Sequence, residues 1–173
     1  MPRLKIKHEQ LKQVKKQLPY LRHLFEVEEE NIIPEGRYKQ CTISIFKDWI
    51  YEEDYDLIFI EDVDEIQSRR NKYRNFVESL SELTDVFILA KRRSKRPSCI
   101  FKPSDVNYLI KMCEFDELTE DRGERYTLLI PEYSAVYQEG YDWYNNLWYR
   151  DSEKVKTLIE LANKHGLHRI KDL

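Results

Sequence analysis

Apolar positions fall into two periodicities along the chain. At Leu11, Val14, Leu18, Leu21 and Phe25 they recur every three or four residues, which places them on one stripe of a helix, with Pro19 as an interruption. Tyr73, Phe76, Val77, Leu80 and Leu83 repeat that pattern and predict a helix between Ser68 and Thr84. Cys41 to Phe46 instead alternates apolar with small polar residues, as a half-buried strand does. Two short runs, Leu57 to Ile60 and Val86 to Ala90, are continuously apolar and read as central strands. The order strand, helix, strand suggests a right-handed βαβ crossover carrying a parallel pair.

Further on, a turn through Ser94 and Pro97 leads to a short strand, Ser98 to Phe101. Pro103 and Ser104 mark a helix start, with Ser104 as the N-cap and Val106, Leu109, Ile110 and Cys113 on its stripe. Asp116 to Gly123 reads as a charged loop. Tyr126–Ile130, Ala135–Tyr137 and Leu147–Tyr149 predict an antiparallel meander. A last helix is capped by Asp151 or Ser152, buries Val155, Leu158, Ile159 and Ala162, and ends at Gly166 in the left-handed conformation. The expected fold class is α/β or α+β. It is one domain over residues 1–173 with a single mixed sheet and helices packed on it. Residues 1–30 read as a helix packed on the domain, or as a helical arm.

Composition narrows the function classes. The chain has 173 residues, 41% hydrophobic and 35% charged, which suits a globular domain with a core. Its formal net charge is −3, so no global attraction to nucleic acid or membrane follows. Four glycines are few for a Gly-rich phosphate loop. No apolar run approaches a membrane span, and Met1 to Leu11 lacks a signal-peptide core. Cys41, Cys99 and Cys113 are odd in number and widely spaced, with no CxxC pair, so neither a zinc knuckle nor a disulfide framework is indicated. A cytoplasmic protein without a cofactor is the expectation.

The richest stretch for chemistry is Leu57-Ile58-Phe59-Ile60-Glu61-Asp62-Val63-Asp64-Glu65. Acids after an apolar strand sit where α/β proteins place ligands. The segment resembles the Walker B segment of AAA-type ATPases, and that resemblance implies an acid helping to hold magnesium. It spans less than a quarter of the chain. No GxxxxGK[ST] accompanies it, and Glu61 precedes Asp62 rather than following it. Asp62 and Asp64 also echo the DxD of haloacid-dehalogenase-like phosphatases, without the Thr or Gly after Asp64. The simpler reading has Asp62, Asp64 or Glu65 serving a helix amino terminus. A PD-(D/E)xK nuclease arrangement of Asp56 or Asp62 with Lys102 fails because Ile100 stands where the second acid belongs. The cysteines lie in apolar patterns that suit packing, not a reactive thiolate.

A wider window says more. From Asp48 to Glu65 the chain carries nine carboxylates and no Lys or Arg, interleaved with Trp49, Tyr51 and Tyr55. Such a surface suits a basic protein partner: Asp54, Asp56, Glu61, Asp62 and Asp64 pair with its Lys and Arg, and the aromatics anchor the contact. Small acidic bacterial immunity proteins that plug toxin active sites are similar to it in style. The first expectation is therefore a non-enzymatic protein-binding module, immunity- or antitoxin-like. The alternative is nucleic-acid binding through Arg92, Arg93, Lys95 and Arg96 at a hairpin tip, backed by Arg69, Arg70, Lys72 and Arg74 and by Lys12, Lys15 and Lys16. The third is a metal-dependent enzyme built on Asp62 and Asp64. Tyr133, Tyr137, Tyr141, Trp143, Tyr144, Trp148 and Tyr149 divide between core and interface anchors.

Overall fold

A computed structural model describes residues 4–5, 8–19, 38–90, 99–113 and 126–170. Among these, eight strands form one sheet: β1 (Leu4–Lys5), β2 (Lys39–Ser44), β3 (Phe87–Ala90), β4 (Cys99–Lys102), β5 (Thr127–Ile130), β6 (Ala135–Gln138), β7 (Tyr144–Tyr149) and β8 (His168–Ile170). Their spatial order is β1-β4-β3-β5-β6-β7-β2-β8. Four helices accompany them: α1 (His8–Gln17), α2 (Val63–Leu83), α3 (Val106–Met112) and α4 (Lys154–Lys164). Two 3-10 turns, Glu52–Leu57 and Pro131–Tyr133, complete the described elements. This is an α+β domain.

Every described pairing is antiparallel, so the sheet is not mixed and the expected parallel pair is not formed. Part of the expectation survives in altered form. β2 and β3 lie four antiparallel steps apart and therefore run in the same direction. The chain crosses from one to the other through α2. Four strand spacings are roughly 19 Å, and the 21 residues of α2 span about 30 Å. The first strand of the crossover is β2, not Leu57–Ile60. That run forms no strand: Ile58 and Phe59 both donate their N–H to the Tyr55 carbonyl, at 2.8 and 3.2 Å, which turns the backbone. Both edges of β2 are already occupied, by β7 and β8.

Alternation along the strands splits the core into two layers. On one face Cys41, Ile43, Ile88, Leu128, Ile130, Tyr137 and Leu147 meet the stripe of α2, with α3 and α4 beside it. The α2 stripe is Arg69, Tyr73, Phe76, Val77 and Leu80, all buried. On the other face Phe87, Leu89, Leu129, Val136 and Trp148 pack with Val14 and Leu18. Burying two such side chains contributes about 2 kcal/mol each, enough to hold a ten-residue helix that is marginal alone. α1 is thus docked on the sheet. Leu21 and Phe25, expected on the same stripe, lie outside the described residues.

Helix ends follow local chemistry. Asp151 Oδ1 accepts the N–H groups of Glu153 and Lys154 at 2.9 and 3.1 Å, so Asp151 and not Ser152 serves the start of α4. Gly166 closes that helix at φ 73°, and the Leu167 N–H reaches the Ala162 carbonyl. The cap of α3 is Asp105, whose Oδ1 accepts the Tyr108 N–H at 2.8 Å. Ser104 was the expected cap, but its hydroxyl donates to Asp105 Oδ2, because the carboxylate is the stronger acceptor for the orphan N–H. The meander is formed as β5–β6–β7, with β7 starting three residues before the predicted strand, at Tyr144.

Candidate functional surface

The acidic stretch folds into an exposed lobe over one end of α2. Its first turn, Glu52–Leu57, buries none of its residues. The lobe is clipped to the domain at three points. Tyr144 holds the entry: its hydroxyl accepts the Ile50 N–H at 2.8 Å, and its ring stacks on Trp49 with centroids 4.9 Å apart. Ile58 plugs the lobe into the core, with the Trp143 indole N–H 3.4 Å from its carbonyl. Arg69 holds the centre. Its Nη1 donates to the Leu57 carbonyl at 2.7 Å and its Nε to Glu65 Oε1 at 2.8 Å. Its guanidinium lies over the Phe46 and Trp143 rings, 5.4 and 5.6 Å from their centroids. A planar cation that stacks and donates in a fork meets all these partners at once.

Asp62 ends the lobe. Its Oδ1 accepts the N–H groups of Asp64 and Glu65, at 2.9 and 3.2 Å, and so caps α2. This lengthens α2 by five residues ahead of the expected Ser68. Among the described residues no group of three or more His, Cys, Asp or Glu is placed to hold a metal ion.

What the lobe displays is apolar as well as acidic. Large hydrophobic side chains stand exposed at seven described positions, and five of them are Tyr51, Tyr55, Leu57, Phe59 and Val63. Phe59 and Val63 are 72% and 75% exposed. Single exposed apolar residues are ordinary, whereas five close together in one stretch of chain are not. A sixth, Tyr141, is 73% exposed on the neighbouring turn, Glu139 to Trp143. That turn is held in an unusual backbone: Asp142 and Trp143 have φ of 54° and 66°, and a Cβ on Gly140 would run into the Tyr144 carbonyl. Conformations of this kind cost about 1–3 kcal/mol each and persist where the surroundings enforce them. Here Asn145 Oδ1 accepts the Gly140 N–H at 2.9 Å, and the buried Tyr73 hydroxyl donates to the Trp143 carbonyl.

The structure therefore brings together Tyr51, Asp54, Tyr55, Asp56, Glu61, Asp62 and Asp64, all exposed. Trp49 stands apart, half-buried against Tyr144. Leu57, Phe59 and Val63 were missed as surface residues because the run looked like core. Their flanks carried the contrary signal: carboxylates at 54, 56, 61, 62 and 64 hem the run on both sides.

The other candidates fare differently. Arg92, Arg93, Lys95 and Arg96 lie outside the described residues, between β3 and β4. Arg69 is removed from any basic face, since it is buried under the lobe. Lys102 pairs with Asp85 at 2.5 Å. Cys41 and Cys113 are buried, and burial pushes the Cys113 thiol well up, so Cys113 presents no thiolate. His165 meets Ser79 Oγ at 3.0 Å across α2 and α4, and desolvation lowers its pKa. Of the meander aromatics, Tyr137, Trp143, Trp148 and Tyr149 are core, Tyr133 and Tyr144 are half-buried, and Tyr141 is exposed. No described helix is long and apolar enough to cross a membrane. No protein-family model, no curated protein and no solved structure matches the chain.

Proposed function

We propose that this chain is a cytoplasmic, non-enzymatic protein-binding module whose partner presents a basic surface to the lobe at residues 51–64. One observation carries the reading: Tyr51, Tyr55, Leu57, Phe59 and Val63 are exposed together within a stretch that holds nine carboxylates and no Lys or Arg. Burying a Phe or Val side chain is worth about 1.5–3 kcal/mol, so the lobe forgoes burial energy that a partner recovers. The carboxylates add long-range steering toward cations and exclude acidic partners. The rigid clip at Arg69 lowers the ordering cost of binding. Blocking a cationic active site, as an immunity- or antitoxin-like inhibitor does, is the use these properties suit best.

The test is native mass spectrometry of the tagged protein recovered from its own host, with nuclease treatment, for the natural chain and for Asp54→Lys/Asp56→Lys and Phe59→Ser variants. A stoichiometric basic protein that resists nuclease and is lost from both variants supports the reading. Nucleic acid that co-purifies, is stripped by salt and is indifferent to both variants overturns it and moves the site to Arg92, Arg93, Lys95 and Arg96.

A further inference from the structure

The turn Glu139 to Trp143, between β6 and β7, is fixed along its length. The Glu139 N–H donates to the Tyr126 carbonyl at 3.1 Å, and the Tyr144 N–H to the Tyr141 carbonyl at 2.8 Å. The Gly140 N–H goes to Asn145 Oδ1, and Asn145 is itself buried, its Nδ2 donating to the Tyr137 hydroxyl at 2.6 Å. The buried Tyr73 hydroxyl holds the Trp143 carbonyl. These bonds keep Asp142 and Trp143 in the left-handed region, which residues other than glycine rarely occupy. The turn is also tied to the lobe: the Trp143 indole N–H faces the Ile58 carbonyl, and Tyr144, next in the chain, accepts the Ile50 N–H. This frame holds outward Tyr141, 73% exposed, with the exposed Asp142 beside it.

Six of the seven exposed large hydrophobic side chains among the described residues lie on the lobe or on this turn, and the seventh, Leu83, lies at the opposite end of α2. The charge pattern carries over as well: from Tyr126 to Tyr149 the chain has Glu132, Glu139 and Asp142 and no Lys or Arg. Two copies of this surface would set carboxylates against carboxylates, so a cationic partner fits it and a second copy does not. A stable interface engages roughly 20–30 residues on each side, more than the lobe at residues 51–64 holds, and the turn is the neighbour that enlarges it. A tyrosine ring with a carboxylate next to it suits arginine over lysine, because a guanidinium stacks on the ring while its N–H groups pair with the carboxylate. The molecule uses the same grip internally, where Arg69 lies over Phe46 and Trp143 and pairs with Glu65.

We propose that the turn Glu139 to Trp143 is the second half of the partner-binding surface, where Tyr141 and Asp142 seat an arginine of the same basic protein that the lobe binds. This inference rests on the proposed role of the lobe and adds to it a second contact segment and a preferred side chain. The experiment is a titration of the ¹⁵N-labelled full chain with three blocked peptides, made of Gly-Arg, Gly-Lys or Gly-Gln repeats of equal length. The readout is the backbone signals of Tyr141 and Asp142 against those of Tyr55, Phe59 and Val63. Both sets are expected to shift along one curve with the arginine peptide, to bind the lysine peptide at least about twofold more weakly, and to ignore the glutamine peptide. Tyr141→Ser is expected to weaken arginine-peptide binding about two- to fivefold and to abolish the preference over lysine, whereas Tyr141→Phe keeps that preference because the ring face remains. Shifts in the lobe with the turn silent overturn the inference and leave the lobe reading standing, while silence at both sets overturns the two together. Different binding curves for the two sets, equal response to the glutamine peptide, an arginine preference that survives Tyr141→Ser, or concentration-dependent shifts at the turn without any peptide also overturn it.

Discussion

Two apolar runs of four residues have opposite fates. Phe87-Ile88-Leu89-Ala90 is a central strand, with Phe87, Ile88 and Leu89 all buried. Leu57-Ile58-Phe59-Ile60 is a surface loop in which only Ile58 is buried. The first has a ladder on each side, β4 and β5, and a core layer on each face. The second has neither ladder: its Leu57 carbonyl goes to Arg69 and its Ile58 carbonyl faces the Trp143 indole. An apolar run becomes a strand when its N–H and C=O groups have partners on both sides. Hydrophobicity alone does not supply them.

The largest effect that separates the two runs is a cavity in the strand. Ile88→Ala removes a side chain that is 2% exposed between α2 and its neighbours. It is expected to cost about 3–4 kcal/mol, read as a lower urea midpoint at unchanged slope. Arg69→Ala attacks the other run. It leaves the Leu57 carbonyl without its donor and removes the guanidinium from between Phe46 and Trp143. The expected loss is about 2–3 kcal/mol, mostly from the charged hydrogen bond and the packed stem. The Glu65 pairing contributes little, because that carboxylate is about half exposed. Arg69→Lys recovers only part, since an ammonium cannot stack and fork together. Faster hydrogen exchange at Phe59, with β3 unchanged, checks that the loss is local to the lobe.

Capping comes next. Asp62→Ala is expected to cost about 1 kcal/mol, and Asp62→Asn much less, since Asn also accepts from the N–H groups of α2. A large loss on the Asn change, in the urea midpoint, indicates that the charge at Asp62 does more than cap. Asp105 and Asp151 test the same device by pH. The Tyr108 and Lys154 N–H bonds, respectively, are the main causes holding these carboxyls below their ordinary value of 3.8. With the folded pKa depressed, their contribution is present above the unfolded value and is lost as pH falls through the folded one. Asp151→Asn is therefore expected to flatten the acid limb of the urea midpoint against pH.

Much of the fold was legible because its signals are local. The α2 stripe from Tyr73 to Leu80, the β5–β6–β7 meander, and the Asp151 and Gly166 ends of α4 all follow from spacing within about ten residues. What was illegible is non-local. β8 pairs with β2 across more than 120 residues of chain, on three residues with no pattern of their own. Arg69 stands one turn before Tyr73 on the same buried stripe, so its spacing did signal burial, and only its charge argued otherwise. At the candidate surface the acids were readable as a block of like charge. Their apolar companions Leu57, Phe59 and Val63 were not, because exposure depends on which slots in the sheet are already taken.

The smallest stability effect carries the most functional weight. Phe59→Ser is expected to change the unfolding free energy by no more than about 0.5 kcal/mol, since a side chain 72% exposed has little burial to lose. A change of 2 kcal/mol or more in urea unfolding means that Phe59 is core and that the run was read correctly as buried. Near-neutrality instead means that the ring is held at the surface at no benefit to folding. In that case the same substitution has its effect on association: a partner that seats the Phe59 ring loses about 1.5–3 kcal/mol of burial, a weakening of roughly ten- to a hundredfold. Val63→Ser, one position after the Asp62 cap, is expected to behave in the same way. Leu83→Ser, 43% exposed at the opposite end of α2, is expected to cost about 1 kcal/mol of stability while leaving association unchanged, and serves as the control for association.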